Sequence, residues 1–211
     1  MILYRVVRNL LWLLSKAMFR LTVEGKEHIP KDGAFVLAPV HRSFADFALV
    51  SAVTQRRMRY MGKDSLFKLK PLAWFISMLG AFPVHRGAAD REALRTSIEV
   101  VARGEPLVIF PEGTRRSGPV VEDLFEGATF VAARAGVPVI PVGIGGSEQA
   151  MPKGKKLPRL SKIHIIVGEP IAPPVATEGG RVSRKAVHRN TEQLQVEIQA
   201  LFDRAQRLID S

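Results

Sequence analysis

Two side chains five positions apart, His41 and Asp46, have the residue types for general-base chemistry. The imidazole closes an apolar run from Gly33 to Val40 whose composition predicts a strand. The carboxylate falls one turn inside any helix that begins near Ser43. A carboxylate held against one ring nitrogen fixes the tautomer and frees the other nitrogen to take a proton from a hydroxyl. Alone the pair is a weak signal. A His and an Asp at this spacing also arise by chance, and a His closing a strand often serves structure only.

Other predicted strand ends carry polar residues that a fold does not need. Lys63 follows a second short strand over 56–61, Arg86 follows Gly80 to Val84, and Glu112 and Arg115 follow Leu107 to Phe110. In an open α/β sheet that edge is where ligands bind. Three cations and a carboxylate around a candidate base describe a site for a phosphorylated substrate with a reactive hydroxyl. Guanidinium forks grip phosphate bidentately, and lysine adds a point charge.

The elements that must position these residues follow from periodicity. Met1 to Leu21 predicts an amphipathic helix with Arg5, Arg8, Lys16 and Arg20 in one arc and an apolar remainder. Tyr4 and Trp12 add amphipathic rings, so the helix reads as lying in a membrane interface; packing on its own domain is the other reading. Leu21 to Glu24 reads as an edge strand, 26–32 as a polar loop and 44–55 as a helix. Ser65 to Leu79 is apolar with a helical period. Such a run is core by default, and lining a lipid-chain groove or touching a bilayer are its alternatives.

Further on, 88–103 predicts a helix with Leu94, Ile98, Val101 and Ala102 inward and Gly104 as its cap. Gly127 to Ala135 is a helix capped by Gly136. Val137 to Ile144 is a strand whose prolines, Pro138 and Pro141, suit an edge or bulged position. Lys162 to Gly168 is the last strand, 176–182 a linker and 191–209 a helix packing on the sheet. Strands alternating with helices make a layered α/β domain. We divide the chain into an interface helix (1–21), a central domain (22–173), and a linker with a C-terminal helix (174–211).

Composition bounds the partners. The 211 residues are 46% hydrophobic and 24% charged, a globular balance. There is no cysteine, which excludes disulfides, Cys-based zinc sites and thiol nucleophiles. A net charge of +11 calls for an acidic partner: nucleic acid, anionic lipid or a phosphorylated substrate. The longest stretch without charge, Pro71 to His85, is fifteen residues and is broken by Gly80 and Pro83. A membrane span needs about twenty. The N-terminal apolar residues are interrupted by Arg5, Arg8 and Lys16 with no small-x-small site behind them, so no signal peptide is expected.

At these residues the sequence resembles the glycerolipid acyltransferases typified by 1-acylglycerol-3-phosphate acyltransferases. The family's His-x4-Asp block is His41 to Asp46, and its apolar strand followed by arginine is Phe82 to Arg86. Its Phe-Pro-Glu-Gly-Thr-Arg block is Phe110 to Arg115 without a mismatch. Its apolar-Pro-apolar-apolar-Pro strand is Val137 to Pro141. The blocks occur in order over about residues 20–170; the third is the specific one.

The resemblance implies a mixed, largely parallel sheet flanked by helices, with His41 as general base oriented by Asp46. It implies that Lys63, Arg86, Glu112, Gly113, Thr114 and Arg115 form the phosphate site, and that Val137, Pro138, Ile140 and Pro141 support the acyl-donor side. It implies an acyl thioester donor, on coenzyme A or acyl carrier protein, with no metal and no bound cofactor. The acceptor would be a lysophosphatidic acid-type lipid, met at the cytoplasmic face of the cell membrane by a peripheral protein on an anionic surface. An oxyanion donor is expected from a backbone N–H near the start of the helix after His41. Two residues depart from the family pattern: His85 stands beside Arg86, and Glu126 stands where a lysine is common. Other acceptors, namely another lysolipid, a glycolipid or glycerol 3-phosphate, remain open, as does a non-catalytic lipid-binding module. Nucleic-acid binding rests on net charge alone and ranks last, because the basic residues are dispersed and no nucleic-acid motif occurs.

Overall fold

The apolar run before His41 becomes the strand β2 (Val36–Pro39), and Phe35 to Ala38 have no exposed surface. A strand buried on both faces reads as continuously apolar rather than alternating, and that burial is why this stretch is so uniform. In the computed structural model, which describes residues 2–84, 91–152, 154, 155, 157–174 and 182–210, β2 lies mid-sheet. The other strands are β1 (Thr22–Glu24), β3 (Arg59–Lys63), β4 (Ala81–Val84), β5 (Leu107–Val108), β6 (Val139–Gly145) and β7 (His164–Val167). Their order is β1-β7-β6-β2-β5-β3-β4, parallel throughout except for the antiparallel pair β6–β7. The sheet is thus mixed and largely parallel, with β1 at an edge.

β6 is interior, flanked by β2 and β7, so the edge alternative for its prolines fails. The bulged alternative holds. The β6–β7 ladder pairs Val142 with Val167, and the next bridge pairs Val139 with Ile171. Two residues of β6, Ile140 and Pro141, therefore face three on the partner. Pro141, which lacks an N–H, stands in that interruption and accepts from the Gly168 N–H at 2.9 Å.

The helices are α1 (Ile2–Phe19), α2 (Asp46–Leu49), α3 (Lys70–Met78), α4 (Arg91–Ala102), α5 (Gly127–Ala135), α6 (Ser147–Ala150) and α7 (Arg184–Asp210). The helix expected over 44–55 is shorter: α2 gives way to a 3-10 turn over Val50–Ala52, where β-branched Val50, Val53 and Thr54 weaken α propagation. α4 buries Ser97, Val100 and Val101 and packs the half-buried Leu94 and Ile98 against the core, as expected; only Ala102 departs, and it is exposed. α7 begins earlier than expected because Val187 and Thr191 are buried along with Leu194, Ile198 and Phe202. Most of the expected linker over 176–182 lies outside the described residues.

Alternation along β3 separates the two faces of the sheet. Met61 meets Ser97 of α4, at 3.6 Å between sulfur and hydroxyl. Its neighbour Gly62 abuts the ring of Phe67, which lies in the 3-10 turn (Asp64–Phe67) leading into α3. Tyr60, on the same side as Gly62, feels Tyr4 of α1; burial, with Tyr4 adding to it, pushes the Tyr60 hydroxyl well above the usual phenol range. One face therefore carries α1, α2 and α3. The other carries α4, α5 and α7, with α7 laid along β6.

That second face closes at two glycines. A Cβ at Gly143 would stand 2.4 Å from the backbone of Leu201, and one at Gly145 would stand 2.5 Å from that of Ala205. The helix backbone rests directly on the strand. Gly143→Val is expected to lower the unfolding free energy by about 1–3 kcal/mol through overpacking, read as a lower urea midpoint at unchanged slope.

Candidate active site

The parallel strands share one carboxyl edge. Pairing puts Leu37, Val108, Tyr60 and Ala81 on one level, and Lys63 pairs with Val84 three residues further along. Val40 and Pro111 reach that same level by count. His41, Glu112 and Lys63 consequently leave the sheet side by side, from the adjacent strands β2, β5 and β3. Arg86 and His85, two and one residues past β4, lie outside the described residues.

His41 is held from several directions. Its Nδ1 lies 3.0 Å from Asp46 Oδ2, and Asp46 is fully buried. The same oxygen accepts the backbone N–H groups of Arg42 at 2.8 Å and Ser43 at 2.7 Å. An oxygen already accepting two donors takes a third only from an N–H, so Nδ1 carries the proton and Nε2 is the open acceptor. Nε2 has no partner among the described residues. The imidazole lies against Phe110, with ring centroids 4.1 Å apart, and against the edge of Phe47 at 5.3 Å. Two aromatic walls fix the plane of the ring while the carboxylate fixes its rotation. The expected oxyanion donor does not come from Arg42 or Ser43, because Asp46 occupies both N–H groups.

Glu112 is 1% exposed, and its oxygens are taken up inside the chain. Oε1 accepts the His41 N–H at 2.7 Å, and Oε2 pairs with the Arg42 guanidinium. A carboxylate engaged on both oxygens offers no surface to a phosphate; it ties the end of β2 to the loop beyond β5. Arg42 is buried as well, donating to the carbonyls of Gly118 at 3.2 Å and Val120 at 2.9 Å and lying over Phe202 of α7. Sequence reasoning missed Arg42. Its signal was position, a cation between the members of the His-x4-Asp block with a carboxylate in the loop of a neighbouring strand. Phe47 was likewise visible only as an apolar residue, and Phe110 only as the first residue of the third block, with no contact to His41 foreseen.

The loop carrying Glu112 then turns outward. Gly113 has φ +66, a conformation L side chains rarely adopt, and a Cβ there would strike the Phe125 ring at 2.7 Å. Thr114 is exposed. The half-exposed Arg115 guanidinium lies 6.0 Å from the Phe44 ring centroid and has no carboxylate partner among the described residues. Its neighbour Arg116 differs: it pairs with Glu122 at 2.9 Å and donates its N–H to the His41 carbonyl. Lys63 is exposed and also without an ion pair among the described residues. Lys63 and Arg115 are thus cations at the His41 edge that no carboxylate among the described residues compensates.

The fourth block is not brought to this site. Val137 and Pro138 stand at the opposite, amino end of β6, level with the start of β2, and Ile140 and Pro141 are buried within the sheet. Glu126 accepts from His188 at 3.0 Å and links α5 to α7. A groove of about 740 Å³ lies at the amino edge between α1 and residues 52–56, away from His41; Arg8, Trp12, Lys31 and Arg56 line it. Among the described residues no group of three or more His, Asp or Glu could hold a metal ion.

The profile of the Acyltransferase family matches residues 20–145. That is more than half of the chain. The protein belongs to the acyltransferase family. The matched range holds β1 to β6 and the whole carboxyl edge, while β7 and α7 lie beyond it. The chain is 31% identical over 170 residues to the 1-acyl-sn-glycerol-3-phosphate acyltransferase of Bacillus subtilis, covering 80% of this chain and 82% of that one. It is 30% identical over 173 residues to the enzyme of the same name from Chlamydomonas reinhardtii, covering 78% of this chain and 51% of that one. The crystal structure of the 1-acyl-sn-glycerophosphate acyltransferase PlsC from Thermotoga maritima superposes with a TM-score of 0.74 at 28% identity. That match covers 94% of this chain and 80% of the other.

Within this acyltransferase the buried Arg42–Glu112 pair makes a stability prediction. Glu112→Ala leaves a buried guanidinium unpaired and is expected to cost about 3–5 kcal/mol, measured by urea unfolding. Adding Arg42→Met should restore part of the loss, since the stranded charge is then gone.

Proposed function

We propose that the protein moves a fatty acyl group from an acyl thioester, on coenzyme A or acyl carrier protein, to the free hydroxyl of lysophosphatidic acid, giving phosphatidic acid. The observation that carries this reading is the His41 imidazole. It is locked to Asp46 through Nδ1, has no partner on Nε2 among the described residues, and shares one sheet edge with Lys63 and Arg115, which pair with no carboxylate among those residues. The relatives named 1-acyl-sn-glycerol-3-phosphate acyltransferases support the choice of acceptor.

In this mechanism Arg115 and Lys63 take the acceptor phosphate, with Arg86 as a further cation, and Glu112 positions rather than binds. His41 Nε2 takes the hydroxyl proton as the oxygen attacks the thioester carbonyl carbon. Asp46 stabilises the imidazolium that forms. The tetrahedral oxyanion collapses, the C–S bond breaks and the thiolate leaves with the proton from Nε2. A thioester is already activated, so no protein nucleophile is required and the lack of cysteine costs the mechanism nothing.

The acceptor is a lipid, and α1 suits the protein to a peripheral place on the cytoplasmic face of the cell membrane. Its buried side is Tyr4, Ser15 and Phe19, whereas Val6, Leu10, Leu13 and Leu14 face outward. A helix packed only on its own domain would bury that stripe instead. No helix among the described residues is long and apolar enough to cross a membrane.

His41→Ala is expected to abolish thiol release from an acyl thioester in the presence of lysophosphatidic acid. Asp46→Asn should lower kcat by about 10²–10⁴-fold with little change in the acceptor KM. Arg115→Ala should instead raise the acceptor KM and leave the donor KM unchanged. Wild-type protein that binds liposomes but releases no thiol would remove the enzymatic reading.

A further inference from the structure

The apolar segment after Lys63 is not core. No residue of α3 is buried, and Leu66, Leu69, Leu72 and Phe75 form a stripe at every third position with Trp74 beside it. Leu69 is 63% and Trp74 64% exposed. Apolar residues scattered singly over a surface need no explanation, but five within ten residues on one short element do. We infer that α3 and the 3-10 turn before it form a second membrane-inserting surface, separate from α1, which holds the catalytic edge against an anionic bilayer.

Three observations select a bilayer as the occupant. The first is charge. Exposed Lys63, Lys68 and Lys70 fringe the stripe, and Asp64 is the one acidic residue between Lys63 and Leu79. Two copies of this chain meeting symmetrically here would set lysines against lysines, whereas anionic headgroups neutralise them. The second is continuity. α1, with its own outward apolar stripe, lies on the same face of the sheet. Arg57 joins the two helices, stacking at 5.9 Å over Tyr4 of α1 and donating to the carbonyls of Ser77 at 3.1 Å and Met78 at 3.0 Å in α3. The third is place. The turn carrying Leu66 begins directly after Lys63, so the insertion surface starts at the edge from which His41 and Arg115 also emerge. A lipid acceptor in the outermost layer of the membrane then reaches that edge without leaving the bilayer. The inference rests on the proposed lipid acceptor for its purpose but not for its geometry.

The two tryptophans of the chain stand one in each helix, which supplies the test. In full-length Trp12→Phe protein the fluorescence reports Trp74 alone, and in Trp74→Phe protein it reports Trp12 alone. Each is mixed with vesicles of phosphatidylglycerol and phosphatidylcholine. The expected result is that Trp74 emission moves to shorter wavelength and is quenched by brominated acyl chains. Leu69→Asp with Trp74→Asp should weaken vesicle partitioning at least about tenfold. It should also slow transfer to a vesicle-embedded acceptor while sparing transfer to a short-chain, water-soluble one. A Trp74 signal unmoved by vesicles while Trp12 shifts overturns the inference and leaves the α1 anchor standing. A concentration-dependent Trp74 shift without vesicles, matched by a dimer in sedimentation, overturns it in favour of a second copy. Acyl transfer absent in the wild type beside a normal Trp74 shift would sink the enzymatic reading and support the surface.

Discussion

Glu112 sits inside the protein with one oxygen on the His41 N–H and the other on the Arg42 guanidinium. Taking a carboxylate and a guanidinium out of water costs several kcal/mol for each ion, and only full pairing in good geometry offsets it. That condition restrains the turn from His41 to Asp46. Asp46 adds a second buried carboxylate whose Oδ2 closes on three N–H donors within five residues of one another. The backbone between the two acids has little freedom left, and the imidazole inherits its orientation from them. Phe110 and Phe47 then fill the space around the ring, so its pose does not depend on a ligand being present.

The sheet converts this local knot into a site. Parallel strands send all their carboxyl ends to one edge, and the order β2-β5-β3 brings residues 41, 112 and 63 into a row although they are far apart in sequence. Whatever fixes the sheet therefore fixes the spacing between His41 and the cations of that edge. α7 contributes from outside the family's matched range. Its backbone rests on Gly143 and Gly145 of β6, and its Phe202 lies under Arg42. A change in that helix would reach His41 through Arg42 and Glu112 with no direct contact to a substrate.

The two faces of the sheet do different work. Covered by α4, α5 and α7, one face follows the usual rule that apolar surface is turned inward. On the other, α1 and α3 carry exposed leucines and a tryptophan apiece. The proposed membrane surface would account for both features: a net charge of +11 and an apolar surface confined to one side suit a medium with charge outside and hydrocarbon within.

Residue types and short-range spacing were readable from the chain alone: the strand into His41, the pairing of His41 with Asp46, the helix from Gly127 to its Gly136 cap, and the alternation that makes a layered α/β sheet. These rest on interactions between near neighbours, which a sequence states directly. Three features depended on residues far apart. The family resemblance put Glu112 in the phosphate site; only folding, which places Arg42 seventy positions away beside it, turns it inward. Pro141 suited an edge or a bulge equally until the interior place of β6 and the interrupted ladder opposite it decided for the bulge. The run from Ser65 to Leu79 looked like core because an apolar helical period is the same whether a protein interior or a lipid covers it. The sequence by itself determined the chemistry available and the strand ends that carry it. Tertiary structure decided which charges are buried, which remain free, and which apolar surface faces outward, because burial is a property of neighbours that the chain order does not contain.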